Sequence, residues 1–222
     1  MSNQAFVESI IQEIIQPGIQ RLMDSRYFQE LREGKLSIKR LQGFALQHYL
    51  HNIALVKGLA YCMVKNAHNP ELYNQFRYLF NEEQYHPDLA KRFGLAIGLK
   101  EEDFINATQI FECLAHTSAI IRGMFLGTPG ETRTGALVNE SMVCRFSEEF
   151  DTYLHKHYGL DDNACTFFSV HAVADKEHTK MAAETVARHC ETSQEQRLVR
   201  ESARNMVRFK LAKFDGIYEA YA

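Results

Sequence analysis

Residues 164–189, Ala-Cys-Thr-Phe-Phe-Ser-Val-His-Ala-Val-Ala-Asp-Lys-Glu-His-Thr-Lys-Met-Ala-Ala-Glu-Thr-Val-Ala-Arg-His, contain no glycine and no proline and read as one long helix. Within it His171, Asp175 and His178 stand at i, i+4 and i+7, within about 60° of one another on a helix of 3.6 residues per turn. Two imidazoles and a carboxylate therefore share one stripe. A solvated face is the ordinary fate of such residues. Here Phe167, Ala174 and Met181 flank the stripe while Lys176, Glu177 and Lys180 fit the outside, so part of the stripe points inward. Buried ionisable groups need partners, and a metal ion supplies one.

The helical reading extends outward from this segment. Upstream lie Glu131 to Tyr158 and Glu101 to Leu126, separated by Gly127 and Pro129-Gly130. Asn69-Pro70 starts a helix with Leu72, Tyr73, Phe76, Leu79 and Phe80 inward; it runs towards Gly98, with Pro87 bending or breaking it near His86. Ser37 caps a long helix from Ile38 to about Ala67. At the start Phe6, Val7, Ile10, Ile11, Ile14 and Ile15 fall at helical spacing, Pro17-Gly18 interrupts, and a segment from Ile19 to Leu31 closes at Gly34. Thr192 or Ser193 caps a last helix reaching the C-terminus. No period-two strand, internal repeat or linker stands out. The expectation is one all-α domain over residues 1–222, a bundle of about seven or eight helices.

Composition narrows the function classes. Of 222 residues 45 % are hydrophobic and 24 % charged, with a net charge of −3, so a basic nucleic-acid footprint is missing. The 15 Phe and 10 Tyr disfavour disorder, and only 4 Pro and 12 Gly suit long helices. Cys62, Cys113, Cys144, Cys165 and Cys190 are odd in number and never form C-x-x-C, which points to reduced thiols rather than disulfides or a zinc knuckle. No run of 18 apolar residues occurs, and the stretch up to Ile10 carries Glu8 but no Lys or Arg. The expected protein is cytoplasmic, with neither membrane nor nucleic acid as a partner. Arg197, Arg200, Arg204, Arg208 and Lys210, interrupted by Glu201, read as a solvated face.

Two further features complete a chemical set. In Glu82-Glu83-Gln84-Tyr85-His86, Glu83 and His86 are three apart and suited to sharing a metal, with Glu82 as competitor for Glu83. Glu140, inside Leu137-Val-Asn-Glu-Ser-Met-Val143, is an acid in a mostly apolar turn and a candidate bridge between two ions. Each alone also reads as an ordinary helical acid. Together with the first stripe they give Glu83, His86, Glu140, His171, Asp175 and His178. Nitrogen and carboxylate donors without thiolate suit iron or manganese better than structural zinc. Three carboxylates offset most of the charge of two divalent ions, and redox chemistry follows. His51 and Tyr85 are candidates for groups just behind the ligands. Register places Phe44, Tyr85, Phe111, Phe146 and Phe168 in the pocket wall.

The segment Gln42-Gly-Phe-Ala-Leu-Gln-His-Tyr-Leu-His51, the Glu-Glu-x-x-His stretch with Leu89-Ala-Lys-Arg-Phe93 and Ile97-Gly-Leu99, the Asn-Glu140 element and the His-x3-Asp-x2-His run resemble the haem-oxygenase-like diiron oxidases. That superfamily also holds thiaminase II and pyrroloquinoline-quinone synthase branches. The likeness covers about Tyr27 to Glu184 in matching order. It implies a seven-helix haem-oxygenase-like bundle without bound haem, and ligand roles for the six residues above. One branch makes p-aminobenzoate by consuming its own tyrosine with help from a lysine; those positions fall on Phe28 and Phe150 here, beside Tyr27. The thiaminase branch uses a nucleophilic cysteine, and nothing in the sequence marks Cys113 or Cys144 as activated.

The leading expectation is a non-haem diiron oxidase or oxygenase that uses two Fe(II) ions, or Mn, to activate O2 against a small organic substrate, with an external electron donor and a homodimeric assembly compatible with it. The alternatives are a metal-independent enzyme of the same fold acting on a pyrimidine or quinone-like compound, and a non-catalytic binding protein.

Overall fold

Side-chain caps decide where the main helices begin. The computed structural model describes residues 2–222, and every regular element among them is helical. Helix α1 (Asn3–Ile10) passes through a π turn (Ile11–Ile15) into α2 (Gln16–Met23), followed by α3 (Arg26–Arg32), α4 (Ile38–Lys65), α5 (Pro70–Glu83) and α6 (His86–Ala96). Then come α7 (Glu101–Ile105), α8 (Phe111–Leu126), α9 (Pro129–Tyr158), α10 (Asp162–Arg188) and α11 (Ser193–Ala220). Ser37 Oγ accepts from Arg40 N at the start of α4, and Asn69 Oδ1 from Leu72 N at the start of α5. Reciprocal capping by Thr128 with Glu131 and Thr192 with Glu195 opens α9 and α11.

Three expected boundaries change, the simplest being that the segment expected from Ile19 to Leu31 divides into α2 and α3, with Ser25 at the N-cap of α3. Pro17-Gly18 does not interrupt the first helix. The π turn just upstream absorbs the proline, which sits in the first turn of α2. The expected helix from Glu101 to Leu126 divides into α7 and α8, because the buried Gln47 amide donates to Thr108 O (3.0 Å) and accepts from Ile110 N (3.1 Å). A tertiary side chain thus takes backbone groups that a continuous helix would have used. The break at Pro87 is where the sequence placed it, with Pro87 in the first turn of α6.

The core is aromatic. The Phe44 ring on α4 lies between 4.8 and 6.4 Å, centroid to centroid, from Phe93 of α6, Phe146 and Phe150 of α9, Phe168 of α10 and Phe214 of α11. One side chain therefore joins five helices. A smaller cluster of Leu59, Cys62, Leu72, Phe76, Leu79 and Met124 sits apart, among α4, α5 and α8.

Helices α9 and α10 form a hairpin. Gly159 closes α9 at φ 65°, a left-handed conformation that costs glycine little. Asp161 then accepts from Ala164 N (2.9 Å) to open α10. Cys144 Sγ donates to Ala172 O (3.5 Å), and Glu148 faces Lys176 (3.8 Å). Further from the turn, Glu140 of α9 and His178 of α10 are close charged neighbours across the hairpin. Among the described residues no helix is long and apolar enough to cross a membrane.

Phe44→Ala is expected to lose about 3–5 kcal/mol of stability, the range for deleting a buried aromatic ring. Urea unfolding measures it, and a loss below ~1 kcal/mol would show that Phe44 does not tie the bundle together.

Candidate metal centre

Glu83 is the last residue of α5 and His86 the first of α6, so the break between the helices holds this pair. Both are buried, whereas Glu82 is exposed. Glu83 Oε2 lies 2.5 Å from His86 Nδ1, yet the alignment makes no hydrogen bond and leaves that nitrogen without a partner. The His171 ring centroid is 4.4 Å from that of His86, and one ligand atom from each of Glu83, His86 and His171 lies within 4.8 Å of the others. These three are the tight group.

Glu140, Asp175 and His178 stand beside it in a looser arrangement. Asp175 Oδ1 is 3.5 Å from His178 Nδ1. Asp175 is 2 % and His178 1 % exposed, yet Asp175 Oδ2, both ring nitrogens of His178, and Glu140 Oε2 are buried without hydrogen-bond partners. Such orphaned atoms cost free energy unless something else satisfies them. His171 is held differently: its Nδ1 lies 2.6 Å from the Phe167 carbonyl and donates to it. That bond fixes the tautomer and leaves Nε2 as a free lone pair. Orphaned carboxylate oxygens, a tautomer fixed from behind and a donor set of three carboxylates and three imidazoles all fit a pair of divalent ions.

Electrostatics agree with close quarters. Burial raises the Glu140 carboxyl to about 7; Arg133 opposes the shift, and Asp175 and Glu83 add to it. Burial pushes His178 down, but Asp175, Glu140 and Glu83 outweigh it and hold the imidazole above its ordinary value. For Glu83 burial acts upward, and the neighbouring imidazoles, His86 first, prevail and keep it low. Burial depresses His171 against the pull of Asp175.

A cavity borders these groups, with His48, His51, Glu83, Glu140, His171 and Asp175 in its wall. His51 is buried there, its Nδ1 3.0 Å from Thr117 Oγ1. Tyr85 is not part of the site: as the residue capping α6 it turns outward and is 64 % exposed. Phe111, at the first position of α8, is 77 % exposed. Phe44, Phe146 and Phe168 are spent on the main core, and the apolar wall comes instead from the smaller cluster, with Leu59, Phe76, Leu79 and Met124.

Several buried polar groups had no sequence signal. Lys210, expected in solvent, is fully buried with its Nζ unpartnered; it lies on the inner face of α11, where a basic residue on a charge-rich helix reads as exposed. Lys213 Nζ is 3.1 Å from His48 Nδ1, and burial lowers its pKa to about 8. His116 and Arg133 are likewise buried. The cysteines are free thiols. Burial pushes Cys113 up to about 11 and raises Cys144, so neither is an activated nucleophile.

Comparison with known proteins gives a consistent setting. Residues 42–211 match the model of a family described as iron-containing redox enzyme. A 4-aminobenzoate synthase of Nitrosomonas europaea is 26 % identical over 97 % of this chain and 90 % of its own length. A second 4-aminobenzoate synthase, from Chlamydia pneumoniae, is 26 % identical over 72 % of each chain. Among solved structures, a TenA homologue from Pseudomonas syringae superposes with a TM-score of 0.86 at 13 % identity, over 97 % of this chain and 93 % of that one. A domain with a heme oxygenase-like fold from Shewanella denitrificans gives 0.85 at 16 %, over 96 % and 92 %. The fold is haem-oxygenase-like.

Because Glu140 keeps its proton up to about pH 7 in the metal-free chain and ligation needs the carboxylate, metal binding must expel that proton at lower pH. Fe(II) affinity is expected to rise with pH through about 7, as Glu140 and the raised His178 both give up protons to ligate. The metal-free fold should lose stability over the interval from the ordinary carboxyl range to 7, where the native state binds more protons than the unfolded one. Anaerobic calorimetry in two buffers of different ionisation heat reads the proton release, and none at pH 6 would contradict the assignment.

Proposed function

Because the chain belongs to the family of iron-containing redox enzymes, an oxidoreductase family, we propose that it is a non-haem diiron oxidase or oxygenase acting with O2 on a small organic substrate. The observation that carries this reading is the gathering of three carboxylates and three imidazoles from α5, α6, α9 and α10, most with an unpaired buried donor atom, four of them lining one cavity. In this reading Glu83, His86, Glu140, His171, Asp175 and His178 hold the ions. Two Fe(II) ions would supply electrons to dioxygen, and Mn is the substitute with the same donor preference.

The protein groups around the set have their own work. The Phe167 carbonyl fixes the His171 ring, and Asp175 places a carboxylate oxygen 3.5 Å from His178 Nδ1. Phe76, Leu79 and Met124 in the cavity wall exclude bulk water. His51 and His48 border the same cavity, where burial and the nearby Lys213 and Lys210 charges disfavour protonation of either imidazole. An external electron donor, a homodimer, a cytoplasmic setting and a single domain over residues 1–222 belong to this proposal.

A second reading, formation of 4-aminobenzoate, rests on the two relatives bearing that activity. Against it, the resemblance puts Phe28 and Phe150 at the positions of the consumed tyrosine and its lysine, and both are fully buried in the core. Neither carries a phenol or an amine. Tyr27 is adjacent, with its hydroxyl 3.3 Å from the Arg40 carbonyl. Release of 4-aminobenzoate by the iron-loaded protein, abolished in Tyr27→Phe, would favour this reading over the oxidation of an external substrate.

Metal-free protein loaded anaerobically with Fe(II) is expected to bind two irons per chain and to change its visible spectrum on mixing with dioxygen. Glu83→Gln and His178→Ala should each lower iron content to one or less with the helical melting curve retained, whereas Glu82→Gln should leave it unchanged. Folded wild-type protein without specific iron binding would leave the metal-independent enzyme or binding protein.

A further inference from the structure

Arg133 is a buried cation in search of an anion. It is 2 % exposed, its Nε and one terminal nitrogen are buried without hydrogen-bond partners, and no carboxylate among the described residues lies within ion-pair distance. It nevertheless lines the cavity that holds Glu83, Glu140, His171 and Asp175. Glu140 shares its helix face but stands two turns away, about 10 Å along the axis. Glu131, in the same wall, is committed to the Thr128 amide at 3.0 Å. The Phe76 ring lies 5.9 Å from the guanidinium and fixes its position without neutralising it.

Its surroundings are built for an organic anion rather than for water or an inorganic ion. The apolar side chains in the same cavity wall include Leu55, Leu59, Phe76, Leu79, Ile120 and Met124. A second donor, Asn52 Nδ2, is buried without a partner and Asn52 lines the same cavity. A lone buried guanidinium is costly, and a planar two-oxygen anion is the group its fork fits.

We propose that Arg133 receives the carboxylate of the substrate, an apolar carboxylic acid whose carbon body lies along the aliphatic wall and directs its far end at the metal-ligating residues. Arg133 is then the residue that sets specificity for acids over neutral analogues, and it keeps the substrate's carboxylate away from the ions. The inference rests on the oxidase reading for what the far end of the molecule meets. The anion site itself depends on Arg133 alone.

The test compares hexanoate with the neutral hexanamide by NMR titration, on iron-loaded anaerobic protein and on metal-free protein. Wild type is expected to prefer the acid about tenfold or more, in both forms, as a charge-assisted bidentate contact supplies. Arg133→Gln should bring the ratio to about one, and Arg133→Lys should keep part of it. Each variant is paired with a melting curve; if Arg133→Gln does not fold, a Lys variant with an undiminished ratio counts against the proposal. Retained acid preference in folded Arg133→Gln, an acid preference that appears only with iron, or no saturable hexanoate binding would each overturn it. A chain that binds no iron yet discriminates acid from amide through Arg133 would keep the anion site and remove only the oxidase reading.

Discussion

Ionisable groups removed from water are stable only when their charges and hydrogen-bonding atoms are answered, and this chain concentrates them in one place. Glu83, His86, Glu140, His171, Asp175 and His178 converge, with His48, His51, His116, Arg133, Lys210 and Lys213 buried as well. The protein answers part of the demand itself: the Phe167 carbonyl takes one ring nitrogen of His171, and the carboxylates of Asp175 and Glu83 stand beside the imidazoles of His178 and His86. The rest is left open towards a cavity. A fold optimised for stability alone would fill that space with side chains like those around Phe44.

The two apolar clusters divide the labour. The main core, centred on Phe44 and the rings of α6, α9, α10 and α11, sets the helices at fixed distances. The smaller cluster around Leu59, Phe76 and Met124 is the lining of the cavity. Aromatic rings give the first its rigidity, since each meets several others. Aliphatic and thioether chains give the second an adaptable surface.

Much of the architecture was legible because helical periodicity is a local signal. The uninterrupted run from Ala164 to His189, the break at Pro87 and the caps at Ser37 and Asn69 all rest on residues within a turn of one another. The parts that were not legible depend on distant partners. The division between α7 and α8 follows from Gln47 reaching Thr108 and Ile110, and no local feature of residues 101–126 reports it. The choice of Glu83 over Glu82 for the interior, the outward turn of Tyr85, and the immersion of Lys210 are matters of helix rotation, which neighbouring helices fix. Arg133 and Lys213 carry no sequence mark at all, because charged residues on helices are exposed by default. The aromatic pocket wall failed for a related reason: hydrophobic register says that a side chain points inward, without saying which of two interiors it meets.

The hairpin of α9 and α10, turned by Gly159 and opened by Asp161, has a consequence for the order in which the molecule assembles. Its two arms are neighbours in sequence, so their pairing closes only a short loop and brings Glu140 opposite His178 early. Glu83 and His86 arrive from a distant stretch of chain and must close a far longer one, which is slower. Four of the six candidate ligands thus belong to a local unit, and the other two are the latch that completes it.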